Sequence, residues 1–205
     1  RGDHQDGVEV CSTTDARTGV TVHSLYGSED RQPGPDILGD LDALLFDIQD
    51  VGVRFYTYLY TMSLAMEACG TRGVPFIVLD RPNPLGGEIL EGNVLDPAYA
   101  SFVGKYPIPV RYAMTIGELA RLMNEEFSLG AQLQIVEMEG WRRSSWWDDT
   151  GLHWVPPSPN MPTADTAMVY PGTCFIEGTN LSEGRGTTRP FEQIGAPYVD
   201  GSWLA

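Results

Sequence analysis

The sequence reads as an α/β protein on a mostly parallel sheet, and three observations support this. The runs Ala43-Leu44-Leu45-Phe46 and Phe76-Ile77-Val78-Leu79 are continuous, apolar and short, as expected of strands buried on both faces. Between them, Leu59, Met62, Met66 and Cys69 recur at helical spacing. Strand, helix and strand within about forty residues make a βαβ unit, the building block of Rossmann-like folds, whose crossover is almost always right-handed.

The other elements follow in order. Residues 1–40 are rich in turns, with one alternating run from Val20 to Tyr26 that suggests a strand. Gln32-Pro33-Gly34-Pro35 is a turn, and Asp36 is placed to cap a short helical turn before Gly39. Gly70 and Gly73 are expected to end the first long helix. Arg81 to Met114 is irregular, with five prolines and four glycines. That length exceeds a plain connector and suits a functional loop or an inserted lobe. Thr115-Ile116-Gly117-Glu118 is a capping box, and the helix it starts carries Ile116, Leu119, Met123 and Phe127 on one face until Gly130 stops it. Leu133 to Val136 is a third core strand. Gly140 to Pro162 is irregular again and concentrates Trp141, Trp146, Trp147 and Trp154. Ala164 to Ile176 suits a helix kinked by Pro171, and Asn180 to Thr188 is a Gly-rich polar loop.

The formal net charge of −15 repels nucleic acid and anionic membranes, so neither is an expected partner. An anionic substrate would need locally placed arginines. The same acidity also serves solubility or a salty habitat. No stretch is long and apolar enough to span a membrane. Cys11, Cys69 and Cys174 are odd in number and widely spaced, which fits neither a zinc site nor a disulfide framework, and the latter two read as small core residues. Arg1-Gly2-Asp3 reads as the middle of a loop, and Gly201-Ser202-Trp203-Leu204-Ala205 stops without a cap or polar tail. Both ends therefore read as cuts through a longer chain.

In an open α/β sheet, ligands bind outside the carboxyl ends of the strands. Two polar clusters fall there: Asp47-Ile48-Gln49-Asp50 and Asp80-Arg81-Pro82-Asn83-Pro84. Carboxylates so placed can act as acid, base or nucleophile, or they can cap a turn or pair with Arg54 or Arg81. A third cluster, Glu177 to Thr188, sets two carboxylates, Asn180, Arg185 and several hydroxyls beside flexible glycines. It reads either as a ligand loop or as a solvated connector. It is not a P-loop, and no G-x-G-x-x-G follows a strand, so no nucleotide cofactor is expected. His4, His23 and His153 lack metal-ligand spacing, and no G-x-S-x-G elbow is present. The tryptophans, with Tyr56, Tyr58, Tyr60 and Tyr106, lie among polar residues, a combination that suits sugar rings as well as core packing.

Several strings together resemble one family. They are Ser24-Leu25-Tyr26-Gly27, Phe46-Asp47-Ile48-Gln49-Asp50-Val51-Gly52-Val53-Arg54-Phe55-Tyr56-Thr57-Tyr58, Phe76-Ile77-Val78-Leu79-Asp80-Arg81-Pro82-Asn83-Pro84, Trp154-Val155-Pro156-Pro157-Ser158-Pro159-Asn160 and Glu177-Gly178-Thr179-Asn180-Leu181-Ser182-Glu183-Gly184-Arg185-Gly186-Thr187. In this order they resemble the NamZ-type exo-β-N-acetylmuramidases of bacteria, formerly a domain of unknown function, over nearly the whole chain. The resemblance implies a Rossmann-like domain over 1–162, with its first units missing. Residues 163–205 would then be a linker and the start of a second, smaller α/β domain. It implies release of N-acetylmuramic acid from the non-reducing ends of peptidoglycan fragments, outside the cytoplasm (secreted or periplasmic), with no cofactor or metal. It further implies that an acidic residue just upstream of Arg1, in a family loop ending Arg-Gly-Asp, takes part in catalysis.

On this resemblance Asp47, Asp50 and Glu177 supply or support one of the two carboxyl groups that glycosidases use. Gln49, Asn83, Asn160 and Asn180 would hydrogen-bond acetamido and hydroxyl groups. Arg54, Arg81 and Arg185 are candidates for the lactyl carboxylate of the sugar. Tyr56, Asp80, Glu183 and Thr187 complete the expected substrate contacts. The alternative is a non-catalytic module that binds cell-wall sugar with the same surface.

Overall fold

The computed structural model of the chain describes residues 11–25 and 31–204. Arg1-Gly2-Asp3, His4 and Tyr26-Gly27 lie outside them. An antiparallel pair, β1 (Thr13–Thr14) and β2 (Thr21–Val22), precedes helix α1 (Pro35–Leu38) and strand β3 (Leu44–Phe46). Then come α2 (Tyr58–Arg72), β4 (Phe76–Leu79), β5 (Glu91–Val94), β6 (Pro109–Arg111), α3 (Ile116–Glu126), β7 (Leu133–Val136), α4 (Ala164–Thr173) and α5 (Gly201–Leu204). In α1 the cap is Gly34 rather than Asp36, which lies within the first turn behind Pro35.

Strands β3, β4 and β7 form a parallel sheet in the order β3-β4-β7, with Phe46 beside Val78 and Leu79 beside Val136. The central strand approaches the expected burial, with Phe76 and Val78 wholly covered and Ile77 and Leu79 partly so. Strand β3 does not. It lies at the edge among the described residues, and its Leu45 is 58% exposed. Helix α2 buries Leu59, Met62, Met66 and Cys69 on the spacing seen in the sequence. Full burial of such side chains stabilises by roughly 1.5–3 kcal/mol each. Helix α3 lies against α2 and against β4 and β7. Its capping box is formed, with Thr115 Oγ1 accepting from the Glu118 N–H at 3.2 Å and Glu118 Oε2 from the Thr115 N–H at 3.0 Å.

Gly73, at φ 68°, is the left-handed cap of α2. Gly70, expected to help end that helix, lies inside it. A Cβ there would stand 2.7 Å from the Gly130 carbonyl, so Gly70 lets the chain after α3 approach closely. The irregular stretch 81–114 contains an antiparallel hairpin of β5 and β6, irregular in register. Its strands are polar or begin with proline, so alternation did not reveal it. An isolated bridge pairs Val53 with Arg111, tying the segment after β3 to β6. Around that tie, Val51, Val53, Tyr56, Leu85 and Val110 pack with Met161, Ala167, Tyr170 and Phe191 in a second apolar cluster. Helix α4 ends at Thr173 and passes directly into a 3₁₀ turn, Cys174–Gly178.

Candidate functional site

The parallel register carries the chain out of β3 and β4 side by side, so Asp47 and Arg81 meet at the sheet's carboxyl edge. Arg81 donates from Nε and Nη2 to Asp47 Oδ1, at 2.8 and 2.6 Å. Both side chains are partly open to solvent, 51% for Asp47 and 39% for Arg81. Such a pair contributes about 0–1 kcal/mol to stability. Asp80 stands beside them but is tethered. It accepts from Thr115 Oγ1 at 2.8 Å, from the Gly117 N–H at 2.8 Å and from the Arg81 N–H at 3.0 Å, fastening the start of α3 to β4. Burial pushes the Asp80 carboxyl above the usual range, against those hydrogen bonds. A Cβ at Gly117 would stand 2.8 Å from that carboxyl, so glycine there permits the contact.

Asp47, Asp80 and Arg81 line a cleft of about 520 Å³ whose far wall includes Trp141, Ser145 and Asp149. The wall is held in place by Arg143, which donates to the carbonyls of Gly87 and Ala113 and pairs with Glu118. The sequence points to Trp141 only as one of several clustered tryptophans, and to Ser145 and Asp149 not at all. The only signal was the concentration of tryptophan among polar residues after Gly140. Trp141 Nε1 is covered and has no hydrogen-bond partner among the described residues.

A layer of polar side chains lies below this edge and faces inward. Asp50 is 5% exposed, and its Oδ2 accepts from the Gly52 N–H at 2.8 Å and from the Tyr112 hydroxyl. Burial pushes its carboxyl up to about 6, opposed by those two hydrogen bonds. Gln49 Nε2 donates to the Asp50 and Pro82 carbonyls, at 2.7 and 2.9 Å. Asn83 donates to the Met114 carbonyl at 2.8 Å and accepts from the Leu85 N–H at 2.9 Å. Arg54 Nη1 donates to the Asn93 and Ile108 carbonyls, at 2.6 and 2.8 Å. Tyr56 is packed edge-on between Tyr58 and Tyr170. These groups brace the chain that supports the cleft, and Arg54 is engaged with backbone rather than with either strand-end acid.

The third polar cluster is a separate ion network. Arg185 Nε lies 3.1 Å from Glu177 Oε1 and 3.0 Å from Glu183 Oε1, Nη2 also contacts Glu177, and the guanidinium sits 5.2 Å from the Phe191 ring centre. Phe191 is buried at φ 63° and donates its N–H to the Glu183 carbonyl at 2.6 Å. Thr187 closes its own loop, donating to the Gly184 carbonyl and accepting from Gln193 Nε2, both at 2.6 Å. The Asn180 side is exposed, and its carbonyl accepts from Tyr198 at 2.9 Å. Asn160 is buried, next to Met161, whose carbonyl accepts from Trp154 Nε1 at 2.9 Å.

Cys69 is buried in the core, Cys174 is half-buried and Cys11 is exposed. Burial pushes the Cys174 thiol up to about 11, which leaves it protonated at neutral pH. His23 and His153 are exposed. Among the described residues no three metal-ligating side chains gather, and no helix is long and apolar enough to cross a membrane.

Fold and cleft together define an α/β protein whose parallel strands end at a cleft lined by carboxylates and an arginine. The family model described as exo-beta-N-acetylmuramidase NamZ, N-terminal, matches residues 1–165, and the corresponding C-terminal model matches residues 168–205. The chain belongs to this family. It is similar to the peptidoglycan beta-N-acetylmuramidase NamZ of Bacillus subtilis (strain 168), with 59% identity over 204 residues, covering 100% of this chain and 49% of that protein. It is also similar to the crystal structures of two DUF1343 family proteins from Bacteroides fragilis NCTC 9343. The first has a TM-score of 0.88 and 44% identity, covering 94% of this chain and 50% of that one. The second has a TM-score of 0.81 and 38% identity, covering 92% and 51%. The chain thus spans about half the length of the relatives it matches.

Proposed function

We propose that the full-length protein is an exo-acting glycosidase that releases N-acetylmuramic acid from the non-reducing ends of peptidoglycan fragments, and that it works outside the cytoplasm. Family membership supports the reaction class. The observation that carries the reading to this chain is the strand-end cleft, where an exposed carboxylate, an arginine and an aromatic wall face one space. A muramic sugar needs those three chemistries. Its glycosidic bond needs a carboxyl group, its lactyl arm needs a cation, and its ring C–H face suits an aromatic surface. In a chain of net charge −15 that cation must be local.

In this reading Asp47 is the one of the cleft's carboxylates that acts on the glycosidic bond, and Arg81 receives the lactyl group. Asp50, Gln49 and Asn83 hold the floor. Glu177 and Arg185 form the second candidate pair, at a different part of the chain. Turnover of a chromogenic β-N-acetylmuramide by the full-length protein tests the reaction. Binding of the sugar without turnover favours a cell-wall binding module instead. Arg185→Ala should weaken hydrolysis of muramic substrates more than of glucosamine analogues if that residue reads the lactyl group. Equal loss on both removes it from that role.

A further inference from the structure

Asp50 stands on the strand end that forms the cleft, yet it cannot touch a ligand there, because its carboxylate is buried. Three tethers hold its segment. Gln49 binds the Pro82 carbonyl, which follows the cleft residue Arg81. The Arg54 N–H donates to the Val110 carbonyl at 2.8 Å, next to the Val53–Arg111 bridge. Between these, Asp50 Oδ2 gathers the Gly52 N–H and the Tyr112 hydroxyl, joining the turn after β3 to the chain after β6. The outer tethers are neutral acceptors and amides, whereas the middle one can gain or lose a proton. Gly52 makes the turn possible. Its φ is 77°, and a Cβ there would collide with the Asn83 amide, which is itself fixed to Met114 and Leu85.

We propose that Asp50 and Tyr112 are a buried positioning pair that sets Asp47 against Arg81 at the mouth of the cleft, and that ionisation of Asp50 tightens that setting. The role rests on the function proposed above for the cleft, although the pair itself can be observed without it. The chemistry follows from which atoms are satisfied. In the charged form Oδ2 accepts both donors in charge-assisted hydrogen bonds, roughly twice as strong as those the carbonyl oxygen of a neutral carboxyl makes. The other oxygen, Oδ1, is buried without a hydrogen-bond partner among the described residues, which is where a proton would be carried at low pH. Among the described residues the titratable groups facing the carboxylate are phenols: Tyr112, and Tyr60 from α2. The guanidinium of Arg54 is turned to the Asn93 and Ile108 carbonyls. Burial raises the carboxyl to about 6, so the change falls in a range an enzyme can meet.

Two measurements on the full-length protein test this. The first is the pH profile of kcat and KM on a chromogenic β-N-acetylmuramide. Tyr112→Phe removes a donor to the charged form, so the acid limb of kcat should move to higher pH by about one unit, with KM little changed. The second is an infrared pH titration, taken as the difference between wild type and Asp50→Asn. It should isolate a protonated-carboxyl band that titrates near pH 6, and Tyr112→Phe should move that band upward by the same amount. An unmoved band in Tyr112→Phe, or no band separating wild type from Asp50→Asn, overturns the pair. A moved band with an unmoved kcat limb overturns its positioning role. If the protein turns over no muramide at all, the proposed function fails, while the infrared titration still decides the state of Asp50.

Discussion

Asp47 and Asp50 are three residues apart on one strand end, and the structure treats them in opposite ways. Asp47 is half exposed and shares a single arginine partner among the described residues, at the mouth of a cleft. Asp50 is buried, accepts a backbone N–H and a phenol, and has no cation against it among the described residues. The first is open to a ligand. The second is held near its own protonation point by the protein around it. Of two acids in one motif, one can face the substrate while the other fixes the geometry of the first.

Four substitutions would break or sharpen that contrast. Asp47→Asn has the largest expected effect, on activity alone: turnover should fall by roughly 10²–10⁴-fold, the usual span for a positioned acid or base, while the melting temperature stays put. Wild-type turnover in that variant removes Asp47 from the site. Gly52→Ala should act on the buried side. Forcing a side chain onto φ 77° and into Asn83 should cost about 2–4 kcal/mol of stability in urea unfolding.

The next effect is pH-dependent. The Asp50 carboxyl is raised from 3.8 when unfolded to about 6 when folded, so its stabilising contribution is fully present below about pH 4. It is lost as pH rises through 6. Relative to Asp50→Asn, which cannot titrate, the wild type should lose up to about 3 kcal/mol between pH 4 and pH 7. A constant difference across that range would mean that burial does not perturb Asp50. Arg81→Ala should likewise cost little stability, under about 1 kcal/mol as for other exposed pairs. Its mark should be selectivity, with a loss of about tenfold or more on muramic substrates relative to glucosamine analogues.

The sequence revealed the three parallel strands, the helix stripes of α2 and α3 and the capping box at Thr115, because these depend on local period and neighbouring residues. It also placed Asp47, Asp80 and Arg81 at the strand ends, and Arg81 pairs with Asp47 as one reading of that motif anticipated. What it could not resolve was direction. Whether Asp50, Asn83 or Arg54 points to solvent or inward depends on Tyr112, Met114 and Ile108, which are 31 to 62 residues distant and meet these side chains only after folding. The hairpin of β5 and β6 was hidden for a related reason. Its pairing joins segments rich in glycine and proline, which carry no alternating pattern. Trp141 joined the cleft through Arg143, a contact made by two backbone carbonyls far back in the chain.

The cleft itself is best tested by a crystal structure of the full-length protein with N-acetylmuramic acid bound. The sugar should lie at the strand ends, with its lactyl carboxylate on Arg81, its anomeric carbon towards Asp47 and its ring near Trp141. A sugar bound instead at Glu177 and Arg185, with the strand-end cleft empty, would contradict that assignment.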